Sequence, residues 1–344
     1  MSAGNGKALP RIAIVGASSL IGAALIDELR ARKFLFAELH ALEDGRVAGA
    51  PVGEDDQKFP VGDVAAFDFS RVDIAFFCGR AALSERYAET AAAHALTIDG
   101  SSAFRGRVDV PLVIADVNPQ ALQSCGSHGL IALPGSASVA LATALAPLNA
   151  LVPLKRVEVA TYHAVSGSGR GAMEELASET VALLSSRKAK GRAFGKQIAF
   201  NVIPHVDTLD EDGVAREERR LWEETCRVLN CPALPINVTS ARVPVFFGHS
   251  LAVHAAFGGP ISLAQAQAAL QGGKGLSLVD PDSSVEFPTP ATMATSPDQV
   301  YVGRLRADPT RAEGLNFWLV ADNVRKCAAH NAVSVAQILV NRSL

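Results

Sequence analysis

The residues best placed by type and spacing to do chemistry begin with a glycine turn. Gly16-Ala17-Ser18-Ser19-Leu20-Ile21-Gly22 follows the apolar run Arg11–Val15 and precedes a stretch of helical periodicity. A strand, a tight turn and a helix N-terminus aim backbone N–H groups at one spot, where a dinucleotide pyrophosphate can sit. Gly16 and Gly22 hold the outer positions. The middle one is Ser19, whose side chain either narrows the approach to the phosphates or bonds to one of them. Glu43 and Asp44 fall about twenty residues past Gly22, where an acid takes the ribose 2′-hydroxyl of NAD. The plainer reading is an exposed loop with ordinary charges. Glu217 and Arg220, three residues apart, share a helix face and by themselves read as a solvated salt bridge.

Further motifs resemble the aspartate-semialdehyde dehydrogenase family almost end to end. Asp99-Gly100-Ser101-Ser102-Ala103-Phe104-Arg105 is similar to its D-N-S-S-A-F-R, and Thr161-Tyr162-His163-Ala164-Val165-Ser166-Gly167 to its T-Y-Q-A-V-S-G. Ile198 to His205, Arg242-Val243-Pro244-Val245, Gly248-His249-Ser250 and Asp322-Asn323-Val324-Arg325-Lys326 follow in family order. Where the family carries Asn-Pro-Asn-Cys-Ser-Thr, this chain reads Leu133-Pro134-Gly135-Ser136-Ala137-Ser138. In the family that cysteine is the nucleophile: its thiolate attacks an aldehyde, a hydride leaves to NADP, and phosphate resolves the thioester. Ser136 stands in its place. A family scaffold without the thiol resembles the Usg-type paralogues.

The resemblance implies roles residue by residue. Ser136, His163 and His249 occupy catalytic positions, His163 in place of a glutamine that orients the acyl intermediate. Arg242 matches the clamp for the substrate carboxylate, Arg105 the phosphate-binding arginine, and Glu217 and Arg220 the helix-opening E-E-x-K stretch. Gly16, Ser18, Ser19, Leu20, Ile21, Gly22, Arg46, Ser166, Gly167 and Asn323 fall at cofactor positions, with Arg46 where the 2′-phosphate of NADP would be met. Asp44 and Val47 replace neighbouring serines, and two carboxylates near Arg46 repel a phosphate, so weak dinucleotide binding is expected, with NAD at least as good as NADP.

A serine hydroxyl is harder to ionise than a thiol by roughly five pKa units, about 7 kcal/mol. Leu133, Gly135 and Gly100 replace three asparagines, removing donors for a developing oxyanion. The expectation is a protein that binds a nicotinamide dinucleotide and a small anionic amino-acid derivative, with phosphorylating dehydrogenation lost or altered. The alternative is an active oxidoreductase or acyl-transfer enzyme on a related semialdehyde, using Ser136 with His249 or His163. A G-x-S-x-G elbow is absent and no acid is evident to orient either histidine.

The elements that must position these residues alternate. Short apolar strands at Arg11–Val15, 72–77, 96–99, 112–114 and 130–132 interleave with helices at 20–30 and 84–95, which predicts a Rossmann-like, doubly wound parallel sheet. Past Lys155 longer strands appear at 156–164, 236–245, 252–256, 300–306 and 316–321, with helices at 171–187 and 217–229, predicting a second, α+β domain with a mixed sheet. Residues 1–133 and 323–344 are expected to form the nucleotide-binding domain, and 134–322 the substrate and dimerisation domain. The uncharged stretch from Gly129 to Leu154 is broken by prolines and reads as strand, turn and core helix rather than a membrane span. Its uninterrupted part runs from Ser138 to Ala146.

At 344 residues and net charge −3, with Lys and Arg scattered, the chain suits a two-domain enzyme-sized protein and shows no footprint for nucleic acid. The five cysteines include no C-x-x-C, and Cys226 and Cys231 have no second Cys/His pair nearby, so no metal site is expected. A reduced, cytoplasmic setting and a homodimer complete the expectation.

Overall fold

The computed structural model describes residues 9–45, 51–53, 58–123, 125, 128–279, 286–293 and 298–343. The chain divides into two units, residues 1–134 with 328–344 and residues 135–327.

In the first unit, β1 (Arg11–Val15), β2 (Glu38–Glu43), β3 (Val61–Asp63), β4 (Ile74–Phe77), β5 (Leu96–Asp99) and β6 (Gly129–Ala132) form one sheet in the order β3-β2-β1-β4-β5-β6. Every pairing is parallel. This is the doubly wound dinucleotide-binding order, with its switch point between β1 and β4. Helices α1 (Leu20–Ala31) and α2 (Ala81–Ala92) link strands, and the last helix of the chain, Asn331–Ser343, packs into the same core through Ala332, Val333, Val335, Ala336 and Leu339. The buried strands are apolar along their length because both faces are covered: β1 contributes Ile12, Ala13, Ile14 and Val15 and β4 Ile74, Ala75, Phe76 and Phe77.

Two strands here escape the sequence pattern. β2 carries Glu38 and His40 at its start, and β3 is three residues long. Conversely, 112–114 makes only a bridge between Leu112 and Ala132 instead of a strand. Asn118 takes the Ile114 N–H at 2.8 Å and gives its amide to Leu112 O, so this backbone is turned by a side chain and not laddered.

The second unit opens with α3 (Ser136–Leu151), followed by β7 (Leu154–His163), α4 (Arg170–Leu184), α5 (Arg216–Val228), β8 (Ile236–Arg242), β9 (His249–Phe257), α6 (Leu263–Gly272), β10 (Leu276–Leu278), the short α7 (Pro290–Met293), β11 (Val300–Ala307) and β12 (Gly314–Ala321). The sheet order is β10-β11-β12-β9-β7-β8. It is mixed: β7–β8 and β10–β11 are parallel, the rest antiparallel. Helix α3 packs on this sheet and against α5 and α6. It runs on through Pro147, past the expected end at Ala146, although the ring forfeits a helical hydrogen bond. Residues alternate along β7: Val157, Val159, Thr161 and His163 are buried, while Arg156, Glu158, Ala160 and Tyr162 lie on the other, more open face. Among the described residues no helix is long and apolar enough to cross a membrane.

Candidate active site and nucleotide turn

In the first unit the glycine turn leaves the end of β1 at the switch point. Gly16 has φ +85°, and a Cβ there would lie 2.4 Å from Gly79 N and 2.5 Å from Gly79 Cα, so only glycine fits. Gly79 thus belongs to the turn, a role invisible sixty-odd residues away in sequence. Ser19 is the N-cap of α1: its Oγ accepts the Gly22 N–H at 2.9 Å and donates to Cys78 O at 3.0 Å. The hydroxyl proton is therefore spent on Cys78 O, and Ser19 serves the turn itself. Leu20 and Ile21 open the helix, where first-turn N–H groups lack intrahelical partners.

Glu43, at the end of β2, is buried and folds back onto the turn. Its Oε1 accepts the Ser18 N–H at 2.8 Å and the Ser18 hydroxyl. A carboxylate thus occupies the turn beside the N-terminus of α1. Asp44 is exposed. Arg46 and Val47 lie outside the described residues. Arg105 donates from Nε to Leu133 O and from Nη2 to Gly100 O, both at 2.8 Å. Beside it, Asp99 accepts from Ser84 Oγ, Ser101 N and Ser101 Oγ, and burial raises its pKa. The Leu133 side chain packs in the apolar core of this unit.

In the second unit the site forms where one end of the sheet gathers four strand termini. β7 ends at His163, in register with Arg242 at the end of its parallel neighbour β8. β9, antiparallel to β7, starts there at His249, and β12, antiparallel to β9, finishes opposite His249 just before Asn323. The topology thus brings together residues up to 160 positions apart.

His163 and His249 are each 2 % exposed, with ring centroids 4.4 Å apart. His249 Nδ1 accepts the Ala164 N–H at 3.2 Å, so the neutral ring carries its proton on Nε2. His163 Nε2 pairs with Thr161 Oγ1 at 3.0 Å. Burial, with the nearby Arg242 charge, lowers His163 to about 3. Burial, then His163 and Arg242, holds His249 well below its ordinary value. Both rings are neutral near pH 7. Arg242, 7 % exposed, donates Nη1 to Ala164 O at 2.8 Å, and its ring neighbour is Phe194. Burial draws its pKa down to about 10 against the opposing pull of Glu217 and Asp207, leaving it charged. Gly167 faces this group: a Cβ there would come within 3.3 Å of Arg242 Nη1 and 3.6 Å of His249 Nε2. The site presents donors, a guanidinium and an imidazole N–H, toward Gly167, an arrangement suited to a carboxylate or carbonyl oxygen.

Next to it, Asn323 Oδ1 accepts the Gly248 N–H at 3.0 Å and its amide meets Ser166 Oγ at 3.0 Å. Arg220 forms an ion pair with Asp207 at 3.0 Å. Ser136 is the first residue of α3, with Gly135 as N-cap. Glu224 of α5, 4 % exposed, fixes this turn: Oε2 accepts the Gly135 N–H at 2.6 Å and the Ser138 hydroxyl at 2.7 Å. Asp207, Phe194 and Glu224 were not singled out by sequence, where they stand among ordinary charged or apolar neighbours.

Residues 11–125 match the family model described as semialdehyde dehydrogenase, NAD binding domain, and 145–326 the model described as semialdehyde dehydrogenase, dimerisation domain. The chain is 39% identical to an aspartate-semialdehyde dehydrogenase of Legionella pneumophila over 329 residues, covering 95% of each. It is 40% identical to a USG-1 protein homolog of Azotobacter vinelandii over 332 residues, 96% of this chain and 98% of that one. Aspartate semialdehyde dehydrogenase II from Vibrio cholerae, in a crystal structure complexed with ASA, superposes with a TM-score of 0.94 at 37% identity, covering 98% of this chain and 100% of that one. With both units matched in order, the chain belongs to the aspartate-semialdehyde dehydrogenase family.

Proposed function

We propose that this protein is a Usg-type member of the family that retains a nicotinamide dinucleotide site and a pocket for a small anionic amino-acid derivative but not phosphorylating dehydrogenation. The observation that carries this reading is Ser136 at the first position of α3. Its hydroxyl needs a base, and the family's candidate is compromised: the His249 Nδ1 lone pair is engaged by Ala164 N–H and the ring resists protonation. No buried thiol offers a substitute. Burial pushes Cys78 and Cys327 up to about 12 and Cys226 to about 11, far from the thiolate form.

The first unit fits a dinucleotide. Gly16 turns the chain at the switch point with φ +85°, and the α1 N-terminus, with Leu20 and Ile21, would hold a pyrophosphate. Glu43 suits a ribose hydroxyl and opposes a 2′-phosphate. When bound, the cofactor would supply a hydride acceptor. Arg242 and His249 would bind and orient a substrate carboxylate or carbonyl, with Glu217 and Arg220 setting the charge around them; the resemblance gives Arg105 a phosphate-binding role and Ser166, Gly167 and Asn323 cofactor positions. A second copy of the chain would cover the open face of the second sheet, where Tyr162 and Trp318 lie 5.5 Å apart.

A steady-state assay with aspartate semialdehyde, phosphate and each nicotinamide cofactor tests the reading. The expected result is no phosphate-dependent cofactor reduction, alongside calorimetric binding of NAD and a dimer by light scattering.

A further inference from the structure

A loop closes over Arg242 by means that its own sequence does not advertise. Residues 191–197 double back on themselves: a Cβ on Gly191 would lie 2.4 Å from Lys196 C, and Gly195 turns at φ +67°. Two carboxylates of α4, one helical turn apart and so on one face, pin the two sides of this loop. Glu175 accepts the Arg192 N–H at 3.0 Å and the Ala193 N–H at 2.8 Å. Glu179, itself buried, accepts the Ile198 N–H at 2.8 Å and the Ala199 N–H at 3.0 Å. Between these clamps stands Phe194. Its ring packs beside the apolar cluster of Val165, Ala172, Leu176, Ile198, Ala199 and Ile203, and the Arg242 Cζ lies over the ring face, 5.3 Å from its centroid.

From this geometry we propose that Phe194 is a specificity-determining residue of the Arg242 site, its ring covering one face of the guanidinium so that a small carboxylate is confined to the edge. The inference rests on the reading of Arg242 as a carboxylate clamp. A guanidinium binds carboxylates in its plane, through paired N–H groups. A ring on one face leaves that edge open, excludes water from the face and stabilises the cation through the ring quadrupole. The Glu175 and Glu179 clamps hold the backbone on either side of Phe194, and the apolar cluster supports its ring.

Calorimetry with L-aspartate as the probe, together with thermal unfolding, tests this. Phe194→Leu keeps apolar volume beside the cluster and removes the π face; Phe194→Tyr keeps the face. The expected result is affinity weakened about tenfold in Phe194→Leu with little change in Tm, and near-parental affinity in Phe194→Tyr. Gly191→Ala, which forces the loop open, should lower affinity in the same direction. Equal affinity in the parent and Phe194→Leu overturns the inference while leaving the carboxylate clamp intact. Equal losses in the Leu and Tyr variants also overturn it, since ring electrostatics would then be irrelevant. A parent protein that fails to bind, with Arg242→Leu no different, overturns the clamp reading and this inference with it.

Discussion

His163 and His249 set their imidazoles against each other, centroids 4.4 Å apart and planes tilted by 50°, both rings buried and both near the Arg242 charge. With both rings protonated, three positive charges would sit together away from water. The pair is therefore neutral, and its acid–base behaviour is a property of the fold before it is a property of any reaction.

That neutrality predicts a pH-dependent stability with a definite sign. Both histidines have folded pKa values below the unfolded value near 6.5, so the unfolded chain binds more protons under acid conditions. Their contribution to stability is fully present above about pH 6.5 and is lost as pH falls toward the folded value, about 3 for His163. Each ring should remove about 1.4 kcal/mol per pH unit in that window. Urea unfolding between pH 6 and 5 should show a slope about 1.4 kcal/mol per unit shallower for His163→Gln than for the parent. An unchanged slope would mean that the ring is protonated in the folded protein.

Glu43 carries the second prediction. Its carboxylate sits on Ser18 N and Oγ, where a 2′-phosphate would be repelled. Calorimetric titration should give NAD binding at least as tight as NADP. Glu43→Gln should improve NADP binding by roughly tenfold relative to NAD, one charge repulsion at a partly buried site being worth about 1.4 kcal/mol. A clear NADP preference in the parent would place control of the site elsewhere in the loop.

The parallel nucleotide-binding half was legible because buried parallel strands are continuous apolar runs, as in Val72–Phe77, and because glycine spacing marks a turn at Gly16. β2 was missed for the same physical reason: its polar start at Glu38 and His40 breaks the run. The site was legible only through motif matches. His163, Arg242 and His249 are isolated in sequence and meet because mixed pairing puts the ends of β7 and β8 beside the start of β9. Glu224 illustrates what no pattern could show. It lies 89 residues from Gly135, in a helix rich in glutamate, and only packing of α5 on α3 reveals which of those carboxylates is buried.

Glu224 accordingly supplies a third prediction. Glu224→Ala leaves the Gly135 N–H and Ser138 hydroxyl unpaired in the interior and should cost about 3 kcal/mol, read by denaturant unfolding. Glu224→Gln keeps an acceptor and should cost less. The carboxylate also opposes the positive end of α3. In a Ser136→Cys background, Glu224→Gln should therefore move the thiol pKa, followed by alkylation rate against pH, about one unit toward acid. A pKa that stays put would show that Glu224 has no electrostatic hold on position 136.

The last prediction concerns whether the family chemistry can be put back. The parent should show no phosphate-dependent oxidation of aspartate semialdehyde. On the proposed reading Ser136→Cys alone should recover little, because the resemblance puts a glutamine where His163 stands and Gly135 offers no side-chain amide. Gly135→Asn, Ser136→Cys and His163→Gln together should recover more than the sum of the single changes, since groups acting as a unit are non-additive. Leu133→Asn is best left out: that side chain packs in the apolar core of the first unit, where an unpaired amide costs about 1–3 kcal/mol. Arg105, Arg242 and His249 need no change. Strong activity in the parent that Ser136→Ala abolishes would make Ser136 a working nucleophile and give the acyl-transfer alternative its first support. Strong activity that survives Ser136→Ala would place the reacting group elsewhere than position 136.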